Sequence, residues 1–291
     1  MHDLSRRAFL ASVGAAGLAA ALPARESVPA KFKLGLVTYN VAAAWDLATT
    51  LRICKAVGIE GVECRTTHKH GVEPTLTAEQ RKDVKKQFAD AGVVYWGAGS
   101  VCEFHSEDPA KVKKHIEDCK QFVKLVADMG GKGVKVRPNG VGKGMTEDQA
   151  CEQIGKSLIE CGKAAADVGV EIWVEVHGNP SSKPVLMKKM MDACGLPNVG
   201  VTWNSNPTDI ANGSISEGFA LLAKHIKSCH INDLNNDKSG KYPYRDLFKR
   251  LAGIGYDRYT LCEVGKVYND PVEGEAFLKE YKAMWTELVR G

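Results

Sequence analysis

Polar residues spaced two apart recur along the chain, each pair at the end of a short apolar run. Residues two apart on a β-strand point to the same side, so each pair places two polar side chains on one face. One such pair is unremarkable, but a series facing one way predicts a polar active-site mouth. The pairs are Glu63 and Arg65, Glu103 and His105, Lys135 and Arg137, Glu175 and His177, Asn204 and Asn206, and His230 and Asn232, with Glu263 on a last run.

Three of these residues combine the donors of a metal site. Glu175 and Glu263 supply carboxylate oxygens, His230 supplies an imidazole nitrogen, and the amide oxygen of Asn204 is a possible fourth ligand. Hard oxygen donors with one imidazole suit Mn²⁺, Mg²⁺ or Zn²⁺. The sequence therefore predicts a divalent-metal cofactor at this mouth. The alternative is an ion network in which the buried carboxylates pair with the basic residues on the fourth run.

Other polar residues are candidates for substrate contact. The two histidines of "RTTHKHGVEP" would lie on a loop over the mouth, and Lys and Arg on the fourth run suit an anionic or enediolate oxygen. The segment "KYPYRDLF" either lines a sugar pocket or begins a helix, and Asp233 is expected to be a loop or capping residue. The substrate-binding candidates are His68, His70, Glu103, His105, Lys135, Arg137, His177, Asn206 and Arg245.

Short apolar runs alternate with longer segments of helical period from Lys33 onward, and no Gly/Pro/Ser-rich linker divides them. Repeated β-α units over about 260 residues match a (β/α)8 TIM barrel in length, so residues 31–291 are predicted to form a single α/β domain of that class. The predicted strands cover 33–40, 58–65, 93–102, 132–138, 170–178, 199–206, 226–233 and 259–265. Two amphipathic helix stripes are Val112, Ile116, Cys119, Val123 and Val126, then Ile154, Leu158, Cys161, Ala165 and Val168.

Residues 1–30 differ in kind from the rest of the chain. Ser5-Arg6-Arg7-Ala8-Phe9-Leu10 precedes an Ala/Gly-rich apolar run that ends near Leu22. The run is too short to span a bilayer, which takes roughly 20 residues, so it predicts no stable membrane insertion. Paired arginines before Phe-Leu are typical of a twin-arginine signal. The sequence thus predicts export by the twin-arginine machinery to the periplasm or another extracytoplasmic space. The alternative is an uncleaved segment that serves as a lipid-side anchor.

Composition excludes some functions. A formal net charge of +4 is no concentrated basic face, so nucleic-acid binding is not expected. The nine cysteines form no C-x-x-C pair. This odd number, without that spacing, argues against a disulfide framework and a thiolate zinc site and favours packing roles.

The order of the ligand candidates resembles the xylose isomerase-like sugar isomerase and epimerase superfamily, which shares its fold with endonuclease IV. The resemblance is carried by Glu175 in "IWVEVHG", Asn204 in "VGVTWNSNP", His230 in "IKSCHIND" and Glu263 in "TLCEVG". In that family Glu, Asp, His and Glu from the last four strands bind the metal, and the two glutamates exchange a proton. The sequence departs from this pattern at Asn204, where the family usually has Asp.

The resemblance implies a small carbohydrate substrate and catalysis by Glu175 and Glu263 through an enediolate, giving isomerisation or epimerisation. Two alternatives stay open. A 3-keto-glycoside lyase would use the same enolising chemistry, and export favours it somewhat because oxidised glycosides are met outside the cell. A non-catalytic sugar-binding barrel would retain the pocket and lack the metal.

Overall fold

The computed structural model describes residues 28–290, and within them eight parallel strands close into a barrel in chain order. Each strand pairs with its neighbours in sequence, and the first pairs with the last. This confirms the predicted (β/α)8 architecture. The strands are β1 (Lys33–Val37), β2 (Gly61–Arg65), β3 (Val94–Gly99), β4 (Gly133–Val136), β5 (Glu171–Glu175), β6 (Val199–Asn204), β7 (Ile226–Ile231) and β8 (Tyr259–Cys262).

Helices connect consecutive strands and pack around the barrel. Two of them begin with a capping box, in which the side chains of Thr77 and Gln80, or of Thr146 and Gln149, satisfy free backbone N–H groups. The helices are α1 (Leu47–Val57), α2 (Ala78–Ala91), α3 (Pro109–Met129), α4 (Glu147–Ala166), α5 (Pro184–Cys194), α6 (Ser216–Leu222), α7 (Asn235–Lys238), α8 (Tyr244–Gly253) and α9 (Pro271–Arg290), with 3₁₀ turns at Pro207–Asp209 and Ala223–His225.

The strands end earlier than the sequence predicts. β5 ends at Glu175 and β3 at Gly99, so Glu103, His105 and His177 lie on loops beyond the strands. Beyond these residues the chain turns away from the barrel toward the next helix and no longer pairs with the neighbouring strands. Helix α4 also ends at Ala166, and Val168, which was expected to continue its buried stripe, is 51% exposed.

Aromatic side chains fill the barrel interior on the amino-terminal side of the candidate site. The Trp96 and Trp173 rings stack with centroids 5.0 Å apart, and Tyr259 meets Trp96 edge-on at 4.9 Å. Gly133 on β4 makes room for this packing, since a side-chain carbon there would lie 2.2 Å from the Trp173 ring. Because alternate residues face inward, Glu175 lies on the same side of β5 as Trp173 and is carried above this aromatic layer.

The cysteines behave as the sequence predicts. All nine are buried free thiols, and Cys229 and Cys262 pack in the large core rather than in the barrel interior. Among residues 28–290, no helix is long and apolar enough to cross a membrane. The twin-arginine segment lies outside the described residues.

Candidate functional site

The carboxyl ends of the strands surround a polar pocket of about 240 Å³. Its volume lies below the roughly 300–1,000 Å³ of pockets that take drug-sized ligands, which suits a small polar molecule. The sequence pattern predicted this mouth from the strand-end pairs. The lining residues are Tyr39, Asn40, Arg65, Lys135, Arg137, Glu175, His177, Asn204, Asn206, Asn232, Glu263 and Gly265.

His230 is fully buried on β7 between two carboxylates. Its Nδ1 lies 3.1 Å from Glu263 Oε2, and its Nε2 lies 3.2 Å from Glu63 Oε2. The Oε1 atom of Glu175 is 3.9 Å from Nδ1. Burial by itself lowers the pKa of His230, but Glu263 and Glu63 outweigh burial and hold that pKa well above its ordinary value. Through these two contacts the histidine ring links β2 to the end of β8.

A second buried ion pair joins β4 to β5. Lys135 Nζ donates to Glu175 Oε2 at 2.7 Å, and both side chains are almost fully buried. Burial raises the pKa of Glu175, but Lys135, and after it His230, lower it to about 2. Burial likewise opposes the charge on Lys135, and Glu175 with the other nearby glutamates raises its pKa. This pair matches the ion-network alternative considered from the sequence.

The rim of the pocket carries a further ion pair and a set of amides. Arg137 Nε donates to Glu103 Oε1 at 2.8 Å, and Asn139 donates to the same oxygen. On β6, Asn204 Nδ2 donates to Glu175 Oε1 at 3.2 Å. Asn206 Nδ2 donates to backbone oxygens of Val176 and Asn204. Strands β4 to β6 therefore converge on Glu175 through side-chain contacts.

Residues 51–281 match the family model of the xylose isomerase-like TIM barrel. The chain belongs to this family. Comparison with curated protein sequences gave no match.

Several solved structures share the fold at low sequence identity. The 3-keto-D-glucoside 4-epimerase of E. coli is 17% identical, with a TM-score of 0.72, covering 88% of this chain and all of that one. A D-psicose 3-epimerase of Clostridium cellulolyticum is 16% identical, with a TM-score of 0.70, over 89% of this chain and 98% of that one. The IOLI protein with a bound zinc atom is 18% identical, with a TM-score of 0.69, over 89% and 98%. At these identities the likeness concerns the fold.

The residues of this xylose isomerase-like barrel fit a divalent metal. The ligand atoms of Glu175, His230 and Glu263 all lie within 4.8 Å of one another. Glu63 contacts Nε2 of His230, so Nδ1 faces the carboxylates of Glu175 and Glu263. Metal-bound histidines commonly have a carboxylate on their second ring nitrogen, as His230 has here. A half-turn of the Asn204 amide would exchange its nitrogen and oxygen, which would bring a fourth oxygen donor beside Glu175.

The two loop histidines differ in their surroundings. His70 is 6% exposed, its Nδ1 accepts from Val72 N, and its Nε2 lies 3.0 Å from Arg65 O. Both ring nitrogens thus have backbone partners, and Nε2 also lies 3.3 Å from Thr38 Oγ1, so substrate contact by His70 stays a prediction. His68 is half-buried at the rim, and its ring stacks on Tyr39 at 6.1 Å. Burial, and after it Arg65 and His70, lower the pKa of His68 to about 4, so this ring is neutral at pH 7.

Of the remaining candidates, His177 lines the pocket and has a buried Nδ1 that no described residue contacts by hydrogen bond. Glu103 and His105 line a neighbouring groove instead of the central pocket. Arg245 lies in the first turn of α8 and faces Glu287 of α9 at 3.9 Å. Arg245 does not line the central pocket. Its segment begins a helix, as one of the two interpretations of the sequence held, and Tyr242 and Tyr244 are buried in the core.

Asp233, which was expected to be a loop or capping residue, accepts hydrogen bonds from Asn235 at the start of α7.

Sequence reasoning missed the importance of β2. Glu63 is fully buried against His230, and Arg65 lines the pocket beside Tyr39. The available signal was the same spacing of two that drew attention to the later strands. That spacing shows which side a residue faces, but it does not show that Glu63 meets a histidine 167 residues further along the chain.

Proposed function

We propose that this barrel is a metal-dependent sugar isomerase or epimerase that moves a proton on the carbon beside a carbonyl group. The observation that carries the proposal is the convergence of Glu175, His230 and Glu263, whose ligand atoms lie within 4.8 Å of one another at the mouth. The fold is shared with a 3-keto-D-glucoside 4-epimerase and a D-psicose 3-epimerase, whose names denote reactions of this class, and this supports the proposal.

A divalent metal bound there would polarise the substrate carbonyl and stabilise negative charge on its oxygen. The two carboxylates stand on β5 and at the end of β8, so they approach a bound sugar from different sides. One would remove the proton and the other would return it, on another face or carbon. Lys135 Nζ donates a hydrogen bond to Glu175 Oε2 at 2.7 Å and stabilises the negative charge of that carboxylate. Glu175 therefore becomes a useful base only when Lys135 transfers its hydrogen bond to a substrate oxygen.

The experiment follows C–H exchange in D₂O by NMR, with ketoses, aldoses and 3-keto-glycosides and added Mn²⁺. We expect deuterium at the carbon beside the carbonyl. Glu175→Gln and Glu263→Gln should each abolish net turnover, while exchange at one position survives in one of them because the remaining carboxylate still serves its own face. Glu152→Gln is the matched control, since Glu152 is exposed on α4 and pairs with Lys156.

Two other outcomes would redirect the proposal. Exchange accompanied by release of the aglycone would identify a 3-keto-glycoside lyase, which uses the same proton abstraction and then expels the β-substituent. Binding of sugars by metal-loaded protein without any exchange would identify a sugar-binding barrel. Elemental analysis of the purified protein complements the assay, because stoichiometric metal favours an enzyme.

We also propose an extracytoplasmic site of action, reached through the twin-arginine machinery. The support is the Arg6-Arg7 pair followed by a short apolar run.

A further inference from the structure

The central pocket is bordered by three cationic side chains, and two of them have a carboxylate partner. Lys135 pairs with Glu175 at 2.7 Å, and Arg137 pairs with Glu103 at 2.8 Å. Arg65 has no carboxylate within ion-pair distance among residues 28–290. A half-buried arginine commonly has such a partner, so the unmatched guanidinium on the pocket wall needs an explanation.

Local contacts fix the Arg65 side chain in place. Its Nη1 donates to Thr66 O at 2.7 Å and to Thr67 Oγ1 at 2.8 Å, and the guanidinium lies 5.5 Å from the Tyr39 ring centroid. Its Nε and Nη2 donate to no residue in the described part of the chain. One edge of the planar fork is therefore anchored, and the remaining donors are available to a molecule in the pocket.

The turn that anchors Arg65 is itself strained and clamped. Thr67 has φ 66°, which a β-branched residue rarely adopts. Glu73 holds the turn, because its carboxylate accepts from Thr66 Oγ1 at 2.6 Å and from Thr67 N at 2.5 Å. Strain that is maintained by surrounding contacts is typical of a ligand-binding position. It keeps Arg65 oriented before any ligand arrives.

We propose that the substrate is an anionic sugar whose carboxylate or phosphate group is bound by Arg65. This inference rests on the proposed isomerase function and names its substrate class. A planar guanidinium offers parallel N–H donors that match either anion. The anion would lie between Arg65 and the nearby Arg137. It would leave the carbonyl end of the sugar toward Glu175 and Glu263.

The test compares D-glucuronate, D-glucose 6-phosphate and D-glucose by calorimetry, with metal-free and with Mn²⁺-loaded protein. We expect one acidic sugar to bind at least about tenfold more tightly than glucose, with a preference that shrinks as salt rises. Glucuronate and the phosphate are separate arms, so the preferred arm identifies the anionic group. Arg65→Gln should remove the preference for the acidic sugar, and Arg65→Lys should retain part of it.

Arg52→Gln is the matched control, because Arg52 is an exposed arginine on α1 that pairs with Glu275. Equal binding of acidic and neutral sugars, no binding of either, or an unchanged preference in a folded Arg65→Gln variant would overturn the assignment. The two proposals fail differently. Preferred binding of an acidic sugar without C–H exchange would overturn the isomerase function and leave the Arg65 assignment. Exchange on neutral and acidic sugars with equal KM would support the isomerase function and overturn the Arg65 assignment.

Discussion

Asn204 is the candidate ligand at which this chain departs from the metal-binding pattern that the resemblance implies. Its amide lies 3.2 Å from Glu175, so it stands within reach of the same cation. We expect Asn204→Asp to tighten Mn²⁺ and Zn²⁺ binding by about tenfold or more, because a carboxylate replaces a neutral oxygen donor of nearly the same shape. Calorimetric titration of both proteins measures this.

The same substitution should lower the thermal stability of metal-free protein, since it adds a third carboxylate near Glu175 and Glu263. Asn269→Asp is the control, because it adds the same charge at an exposed position that does not line the pocket. Unchanged or weaker metal affinity in the Asn204→Asp protein would mean that this residue is no ligand and instead binds substrate hydroxyl groups.

Glu63 sets the orientation of the His230 ring. Its carboxylate lies 3.2 Å from His230 Nε2, which orients the ring so that Nδ1 faces Glu175 and Glu263. We expect Glu63→Gln to weaken divalent-metal binding by about 10–100-fold, because an amide is a poorer acceptor and no longer increases the basicity of the ring. Titration with Mn²⁺ checks this. Glu60→Gln, at an exposed glutamate just before β2, should bind metal normally, and equal affinity in both variants would remove the positioning role.

At the scale of elements, the alternation of residues predicted which side chains face the pocket but not where the strands end. Lys135, Glu175 and Asn204 lie in the pocket as their strand positions imply. His105 does not, because β3 ends at Gly99 and the following loop carries His105 into a neighbouring groove. The period of two still holds for His177, two residues past the end of β5, which lines the pocket. It no longer decides direction six residues past β3, where turn geometry does.

The aromatic layer beneath the site allows a test of how the elements support it. Gly133 on β4 has no side chain, and a carbon added there would meet the Trp173 ring at 2.2 Å. We expect Gly133→Ala to destabilise the protein by about 1–3 kcal/mol or more, since Trp173 cannot move without disturbing Trp96. Chemical denaturation measures the change. Gly253→Ala, where the added carbon meets nothing within 4 Å, should be close to neutral. Equal stability of the two variants would show that the layer adapts freely.

For the whole molecule, the fold was predictable because eight apolar runs alternating with helical segments specify few other architectures. The site was less predictable, because its contacts join residues far apart in the chain. Glu63 and His230 meet only after the barrel closes, and no local pattern records that contact. Structures of the same fold share about 17% of their residues with this chain, so the substrate depends on the residues of this pocket rather than on the fold.

Nine buried thiols restrict how this protein could reach an oxidising compartment. None of these cysteines is paired, and each is covered by the folded barrel. Unfolded export would expose all of them to oxidation, whereas the twin-arginine route carries proteins already folded. Replacing Arg6 and Arg7 by lysines should therefore abolish export, as measured by cell fractionation. Rerouting the chain through an unfolded-export signal should give mispaired disulfides on non-reducing gels. Correctly folded, fully reduced protein by that second route would contradict the argument that buried thiols require folded export.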